Sequence, residues 1–203
     1  VSDADGAAIG VLGSAFNPPH LGHLALAQEA FWRLGLEEVV LVPTGEAPHK
    51  KIADDPGRPA RMEMTRLAAG GDERFSVSSL EVDREGPSYA YETLEALAEE
   101  RADRKLVFVM GADAAVGLGS WREPQRVVAR ASLAVARRED VSDEEIAAVT
   151  RELGCEERTT MLDMPRFGVS SSVLRERAKQ GRPLRYLAPT PVAEYIEEKG
   201  IYR

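Results

Sequence analysis

Ala8-Ile9-Gly10-Val11-Leu12-Gly13-Ser14-Ala15-Phe16-Asn17-Pro18-Pro19-His20-Leu21-Gly22-His23 is the stretch whose reading decides the fold. Its first five residues are an apolar run without alternation, the pattern of a strand buried on both faces. Beyond His20 the period changes: Leu24, Ala27, Phe31 and Leu34 recur at spacings of three and four, which predicts a helix from about His20. Between them lies a turn stiffened by Pro18 and Pro19 and opened by Gly13 and Gly22, where backbone can approach a ligand closely.

A strand, a tight turn and a helix with two histidines in its first turn make a local anion site. The first N–H groups of a helix are unpaired, and its N-terminus carries about half a positive charge. His20 and His23 are three apart and so share a helix face. Imidazole can donate to a phosphate when neutral and attract it when protonated. Histidines at a helix start can also face solvent or satisfy a local hydrogen bond. A zinc site needs further ligands, and no Cys pair or HExxH pattern supplies them.

The totals narrow the class. With 203 residues, 43% of them hydrophobic, the chain can bury one substantial core, and a single domain over 1–203 is expected. A net charge of −8 argues against a general polyanion binder, so no nucleic-acid partner is expected and any anion site must be local. Basic residues collect between Arg158 and Arg185, seven against two acidic ones, which by itself describes a solvated face. One cysteine, Cys155, excludes an intrachain disulfide and fits a reducing compartment. The polar opening Val1–Gly6 is no signal peptide and no apolar run reaches membrane-spanning length, so a cytoplasmic protein without a membrane partner is expected.

Outward from the first helix, strands and helices alternate. Val39–Pro43 reads as a buried strand, and Thr44–Pro59 as a polar loop carrying the cationic patch Pro48-His49-Lys50-Lys51. Arg61–Ala69 reads as helix and Phe75–Ser78 as a short strand. A second clear helix has Tyr91, Leu94 and Leu97 on one face, with Ser88 as its N-cap. Leu106–Met110 is the best central strand, followed by Gly111-Ala112-Asp113 at its carboxyl end, where parallel sheets bind ligands. Asp113 can accept from ribose hydroxyls or cap the next helix. Trp121, beside Gly117 and Gly119, can stack on a flat ring or join the core. Ala131–Ala136 is a further strand, Asp143–Leu153 a helix and Thr159–Leu162 a last strand. A helical element over about 183–203 closes the chain. The whole is an α/β fold, a doubly wound parallel sheet.

Gly168-Val169-Ser170-Ser171-Ser172-Val173-Leu174-Arg175 is the second informative stretch. Three serines ahead of a helical run, with Arg175 in its first turn, bring hydroxyls, free N–H groups and a guanidinium together. That combination suits a polyphosphate, and it also describes a plain serine cap. No Walker A sequence is present, and Gly117-Leu118-Gly119 lacks the third glycine of a dinucleotide fingerprint.

Together the two stretches resemble the signatures of the HxGH nucleotidyltransferases, commonly written GTFDPxHxGH and ISSTxxR. Pro48-His49-Lys50, Pro87-Ser88-Tyr89, Gly111-Ala112-Asp113, Ser120-Trp121 and the ending Gly200-Ile201-Tyr202-Arg203 make the chain similar, more specifically, to the bacterial nicotinate mononucleotide adenylyltransferases. The resemblance covers almost the whole chain and implies a Rossmann-like nucleotidyltransferase fold. It implies transfer of AMP from ATP to nicotinate mononucleotide, giving deamido-NAD and pyrophosphate, with Mg²⁺ arriving on the ATP. His20, His23 and Arg175 would be the catalytic groups. Gly13, Ser14, Phe16, Gly111, Asp113, Val169, Ser170 and Ser171 would join them in binding ATP, with Asp113 on the ribose. Thr44, His49, Lys50, Tyr89 and Trp121 would bind the acceptor, with Trp121 stacked on its pyridine ring.

Ser14-Ala15-Phe16-Asn17 departs from the commoner Gly-Thr-Phe-Asp, so the Thr hydroxyl and the carboxylate are missing from their usual places. Ser172 stands where Thr is usual, and Ala90 replaces a frequent Thr. The implied chemistry needs no general base, because a phosphate monoester with a second pKa of about 6 is already mostly ionised at neutral pH. Alternatives are the same chemistry on nicotinamide mononucleotide or phosphopantetheine, a truncated class I aminoacyl-tRNA synthetase, and a non-catalytic nucleotide sensor.

Overall fold

A computed structural model describes residues 7–48, 51–165 and 167–203. Strand β1 (Ala8–Ser14) leads into helix α1 (Leu21–Leu34) and strand β2 (Glu38–Pro43). Helix α2 (Arg58–Ala69), strand β3 (Phe75–Val77), the single turn α3 (Leu80–Asp83) and helix α4 (Ala90–Glu100) follow. Strand β4 (Lys105–Gly111) runs directly into the short helix α5 (Ala112–Gly117), and α6 (Pro124–Arg130) leads into strand β5 (Ala131–Ala136). The chain continues through α7 (Asp143–Glu152), β6 (Thr159–Leu162), α8 (Ser171–Lys179) and α9 (Thr190–Glu198).

All six strands form one parallel sheet flanked by helices, in the order β3-β2-β1-β4-β5-β6. β1 lies in the middle; the chain winds outward to β3, returns to the other side of β1 at β4, and winds outward again to β6. That is the doubly wound order, with its topological switch between β1 and β4. The pairing at the switch runs from Ala8↔Lys105 to Leu12↔Val109, and β4 pairs β5 from Leu106↔Ala131 to Gly111↔Ala136. The central strands are apolar without alternation because both faces are covered: the consecutive residues Val11 and Leu12, and Leu133, Ala134 and Val135, are all at most 3% exposed.

The described residues fall into two compact units. One takes in the chain up to Leu12, Leu26–Val40 and Tyr89–Met164; the other Gly13–Ala25, Leu41–Ser88 and Pro165–Arg203. In the first, α4 packs on α6 and α5 on α7. Ser142 and Glu145 form a reciprocal capping box at the start of α7. The second has a core of its own, in which Met64 and Ala68 of α2, Leu174 and Ala178 of α8, and Val192 and Ile196 of α9 meet.

Some local expectations are corrected. Ser88 does not cap α4: Tyr89 holds that position without a side-chain cap, and the buried Ser88 Oγ accepts from Glu46 N–H at 3.3 Å. The loop after β2 ends before Pro59, because Pro59 pre-sets the helical φ in the first turn of α2. Among the described residues no helix is long and apolar enough to cross a membrane.

Candidate active site

The second unit holds both signature stretches. Ser14 ends β1, with exposed Gly13 before it, and the chain then turns through Phe16, which is fully buried with a left-handed φ of 46°. An L-residue in this region costs roughly 1–2 kcal/mol, so packing must hold it there. Part of that packing is the ring of His23, whose centroid is 5.0 Å from that of Phe16.

His20 and His23 stack with centroids 3.8 Å apart. The His20 backbone N–H donates to His23 Nδ1 at 3.2 Å, so Nδ1 is an acceptor and the neutral ring carries its proton on Nε2. That Nε2 lies 3.2 Å from Ser14 Oγ and donates to it. Ser14 Oγ also accepts from Phe16 N–H at 3.4 Å, which leaves the Ser14 hydroxyl proton free to donate outward. The serine that replaces the usual glycine thus extends the histidine by one donor. Burial pulls the His20 pKa from 6.5 down to about 4, and burial together with His20 pulls His23 well below 6.5. Both rings are therefore neutral donors at pH 7. His20 Nδ1 is buried and has no hydrogen-bond partner among the described residues. A buried polar group left so costs about 1–3 kcal/mol, and a phosphate oxygen would satisfy it. A Cβ on Gly22 would come within 3.0 Å of that nitrogen, which is why glycine stands between the histidines.

Helix α8 brings the second stretch to the same turn. Ser170 is its N-cap, accepting from Val173 N–H at 3.3 Å, and the Ser171 hydroxyl donates to Pro18 O at 2.8 Å. Arg175 Nη1 donates to Asn17 O at 2.8 Å and Nη2 to Ser172 Oγ at 3.2 Å. Val169 is half-buried against the second unit's core. Asn17, where the family commonly has Asp, is buried and bridges two segments. Its Nδ2 donates to Ala53 O at 2.7 Å and its Oδ1 accepts from Tyr202 OH at 2.6 Å. A carboxylate could not make the first of these bonds, so the amide is the group this contact requires.

Arg61 is a residue that sequence reading missed. It is 0% exposed, yet Nε pairs with Asp55 at 2.9 Å, Nη1 donates to Ala15 O and Thr44 O, and Nη2 donates to Gly45 O at 2.9 Å. The guanidinium ties the ends of β1 and β2 together, as a buried charge can only when fully hydrogen-bonded. Thr44 is further fixed by its N–H to Ser14 O at 2.9 Å. Nothing local marks Arg61, because its partners lie 6 to 46 positions away. His49 and Lys50 lie outside the described residues.

In the first unit, Gly111 is the N-cap of α5 and Asp113 lies exposed in its first turn. Asp113 pairs with Arg138 at 3.3 Å. Arg138 was not singled out in sequence, although its place just past the carboxyl end of β5 is a usable signal. Trp121 is half-buried, edge-on to Phe108 with centroids 6.2 Å apart. Tyr89 accepts from Arg122 Nη1 at 3.4 Å, and that guanidinium lies 4.9 Å over its ring. Among the described residues no group of three His, Cys, Asp or Glu side chains could hold a metal ion.

A doubly wound parallel sheet whose first strand ends in this histidine turn defines a nucleotide-handling α/β protein, and a family described as cytidylyltransferase-like matches residues 11–177. A relative from Roseiflexus sp. (strain RS-1), named as a nicotinate-nucleotide adenylyltransferase, is 40% identical over 97% of this chain and 98% of its own. Relatives of the same name from Synechococcus sp. (strain JA-3-3Ab) and Symbiobacterium thermophilum are 37% and 39% identical, over 96% and 97% of this chain and 94% and 95% of theirs. The chain belongs to the nicotinate-nucleotide adenylyltransferases, a family of nucleotidyltransferases. Two solved structures share the fold at 16% identity, covering 97% of each chain. They are the Plasmodium falciparum nicotinic acid mononucleotide adenylyltransferase complexed with NaAD (TM-score 0.79) and with APC (TM-score 0.77).

Proposed function

We propose that this chain transfers AMP from ATP to nicotinate mononucleotide, releasing pyrophosphate and forming deamido-NAD, and so serves NAD biosynthesis. The observation that carries the reading is the neutral, stacked His20–His23 pair, joined on one turn to Ser171 and Arg175, in a chain of this family.

The acceptor phosphate attacks the α-phosphorus of ATP, the new P–O bond forms, and the bond to pyrophosphate breaks. The attacking oxygen is already ionised, so no residue need remove a proton. The barrier lies in bringing anions together and in charge that builds on the α-phosphoryl oxygens and the leaving group. His20 acts there as a neutral N–H donor, and His23, whose own N–H goes to Ser14, acts through the Ser14 hydroxyl. Arg175, with Ser170 and Ser171 at the α8 N-terminus, takes the departing phosphates. Gly13, Phe16 and Val169 shape the phosphate turn, and Gly111 and Asp113 take the adenosine side. Thr44, His49, Lys50, Tyr89 and Trp121 serve the acceptor.

Mg²⁺ has no carboxylate cage among these residues: Asp54 is engaged by Arg175 and Lys179, and Asp55 by Arg61. The ion fits this chain only as a passenger on the triphosphate, where it neutralises charge. A buried free thiol at Cys155 is in keeping with a cytoplasmic setting.

Pyrophosphate release with ATP and Mg²⁺ tests the reading when nicotinate mononucleotide, nicotinamide mononucleotide and phosphopantetheine are offered separately. Release highest with the nicotinate form is expected. Release highest with either of the others moves the acceptor, and ATP binding without release from any of the three defeats the reading.

A further inference from the structure

Arg175 is shared among three partners. Its Nη1 donates to Asn17 O at 2.8 Å and its Nη2 to Ser172 Oγ at 3.2 Å. Its Nε lies 3.3 Å from Asp54 Oδ2, and Lys179 Nζ reaches the same oxygen at 2.9 Å. Arg175 and Lys179 are four apart on one helix, so their stems run along the same face. Two cations of one helix thus converge on a single anionic oxygen.

That oxygen belongs to a group that is easily displaced. Asp54 is 40% exposed and Lys179 43%, and exposed ion pairs contribute little. Asp54 also sits at a left-handed φ of 49°. Ser171, Arg175 and Lys179 recur four apart along one side of α8, a strip about 12 Å long and so longer than one phosphate. A triphosphate brings several charges to it where Asp54 brings one.

We infer that Lys179 extends the phosphate-binding strip beyond Arg175 and takes the terminal phosphate of ATP, in the position that Asp54 Oδ2 occupies. The inference rests on the reading of α8 as the phosphate helix. Lys179 is then a binding residue for ATP, and Asp54 is its internal competitor. A plain surface salt bridge would behave differently: loss of either partner would leave ATP affinity unchanged.

The two substitutions are predicted to act in opposite directions on ATP and not on the acceptor. Lys179→Gln removes one charge-assisted contact and raises the ATP KM roughly tenfold. Asp54→Asn removes the competitor and lowers it by about two- to fivefold, the range of a surface pair. The KM for the acceptor stays put in both. ATP affinity is also measured by calorimetry on the intact chain, with thermal melts to show that both variants fold. An Asp54→Asn variant that binds ATP no better than the parent, or a Lys179→Gln variant that binds it equally well, overturns the inference. The parent chain separates the two claims: a parent that turns over while the variants leave ATP affinity unmoved refutes only the role of Lys179. A parent that binds ATP but turns over no acceptor refutes the function.

Discussion

Because His20 and His23 are neutral in the fold, they give acid stability a signature. The folded chain resists protonating His20 until about pH 4, whereas an unfolded histidine takes its proton near 6.5. Between those values the unfolded state binds more protons, so stability falls as pH is lowered through that window and levels off below it. At about 1.4 kcal/mol per pKa unit, His20 alone accounts for up to ~3 kcal/mol. Chemical denaturation from pH 7 to pH 4 is expected to show this loss, and His20→Gln to remove much of it; a slope untouched by that substitution would contradict the burial argument. Carboxylates such as Asp54 and Asp72, whose pKa values arginine or lysine partners pull below the ordinary value, act only at lower pH. Gly22 supplies a second residue-scale prediction. An alanine there meets the His20 ring at 3.0 Å and must turn it aside. Gly22→Ala should lower kcat/KM roughly tenfold with little change in melting temperature, because the cost falls on catalytic geometry. The histidines and this glycine were legible in the sequence because they lie within four positions on one helix start. The Asp54–Lys179 pair was not, since 125 positions separate its members and neither carries a local signal.

Helix α8 shows how an element carries chemistry. Leu174 and Ala178 face the second unit's core, against Met64, Ala68, Val192 and Ile196, while Arg175 and Lys179 occupy the adjoining face. The buried pair sets the helix down, and the cations follow from its pitch. Leu174 is 0% exposed, so Leu174→Ala should cost about 2–5 kcal/mol in denaturant melts and depress turnover even in the fraction that stays folded. Equal stability in parent and variant would show that α8 is held some other way. Elements of this kind were read well where periodicity was strong, as in α1, α4 and the apolar strands. The shorter ones escaped or, like the helix after Asp113, went without bounds: α3, α5 and α6 have only four, six and seven residues, too few to display a helical period. Ser88 misled for a related reason. A serine just ahead of a helix favours capping in isolation, but here its hydroxyl is claimed by Glu46, which is remote in sequence.

At the scale of the whole molecule, alternation of strands and helices was enough to announce a doubly wound sheet, and the order with β1 beside β4 bears it out. Alternation could not reveal Arg61, a fully buried guanidinium that ties together the loops after β1 and β2. Hydrophobic pattern assigns arginine to the surface, and only the packed chain supplies the carbonyls that let it be buried. The central claim is that His20 and His23 stabilise charge on the transferring phosphoryl group without moving a proton. Steady-state adenylyl transfer to nicotinate mononucleotide by the parent and by His23→Ala, at saturating ATP, tests it most directly. Loss of one such donor should lower kcat by about 10²- to 10³-fold while KM changes far less. A His23→Ala chain that keeps kcat within a few-fold of the parent would contradict the account.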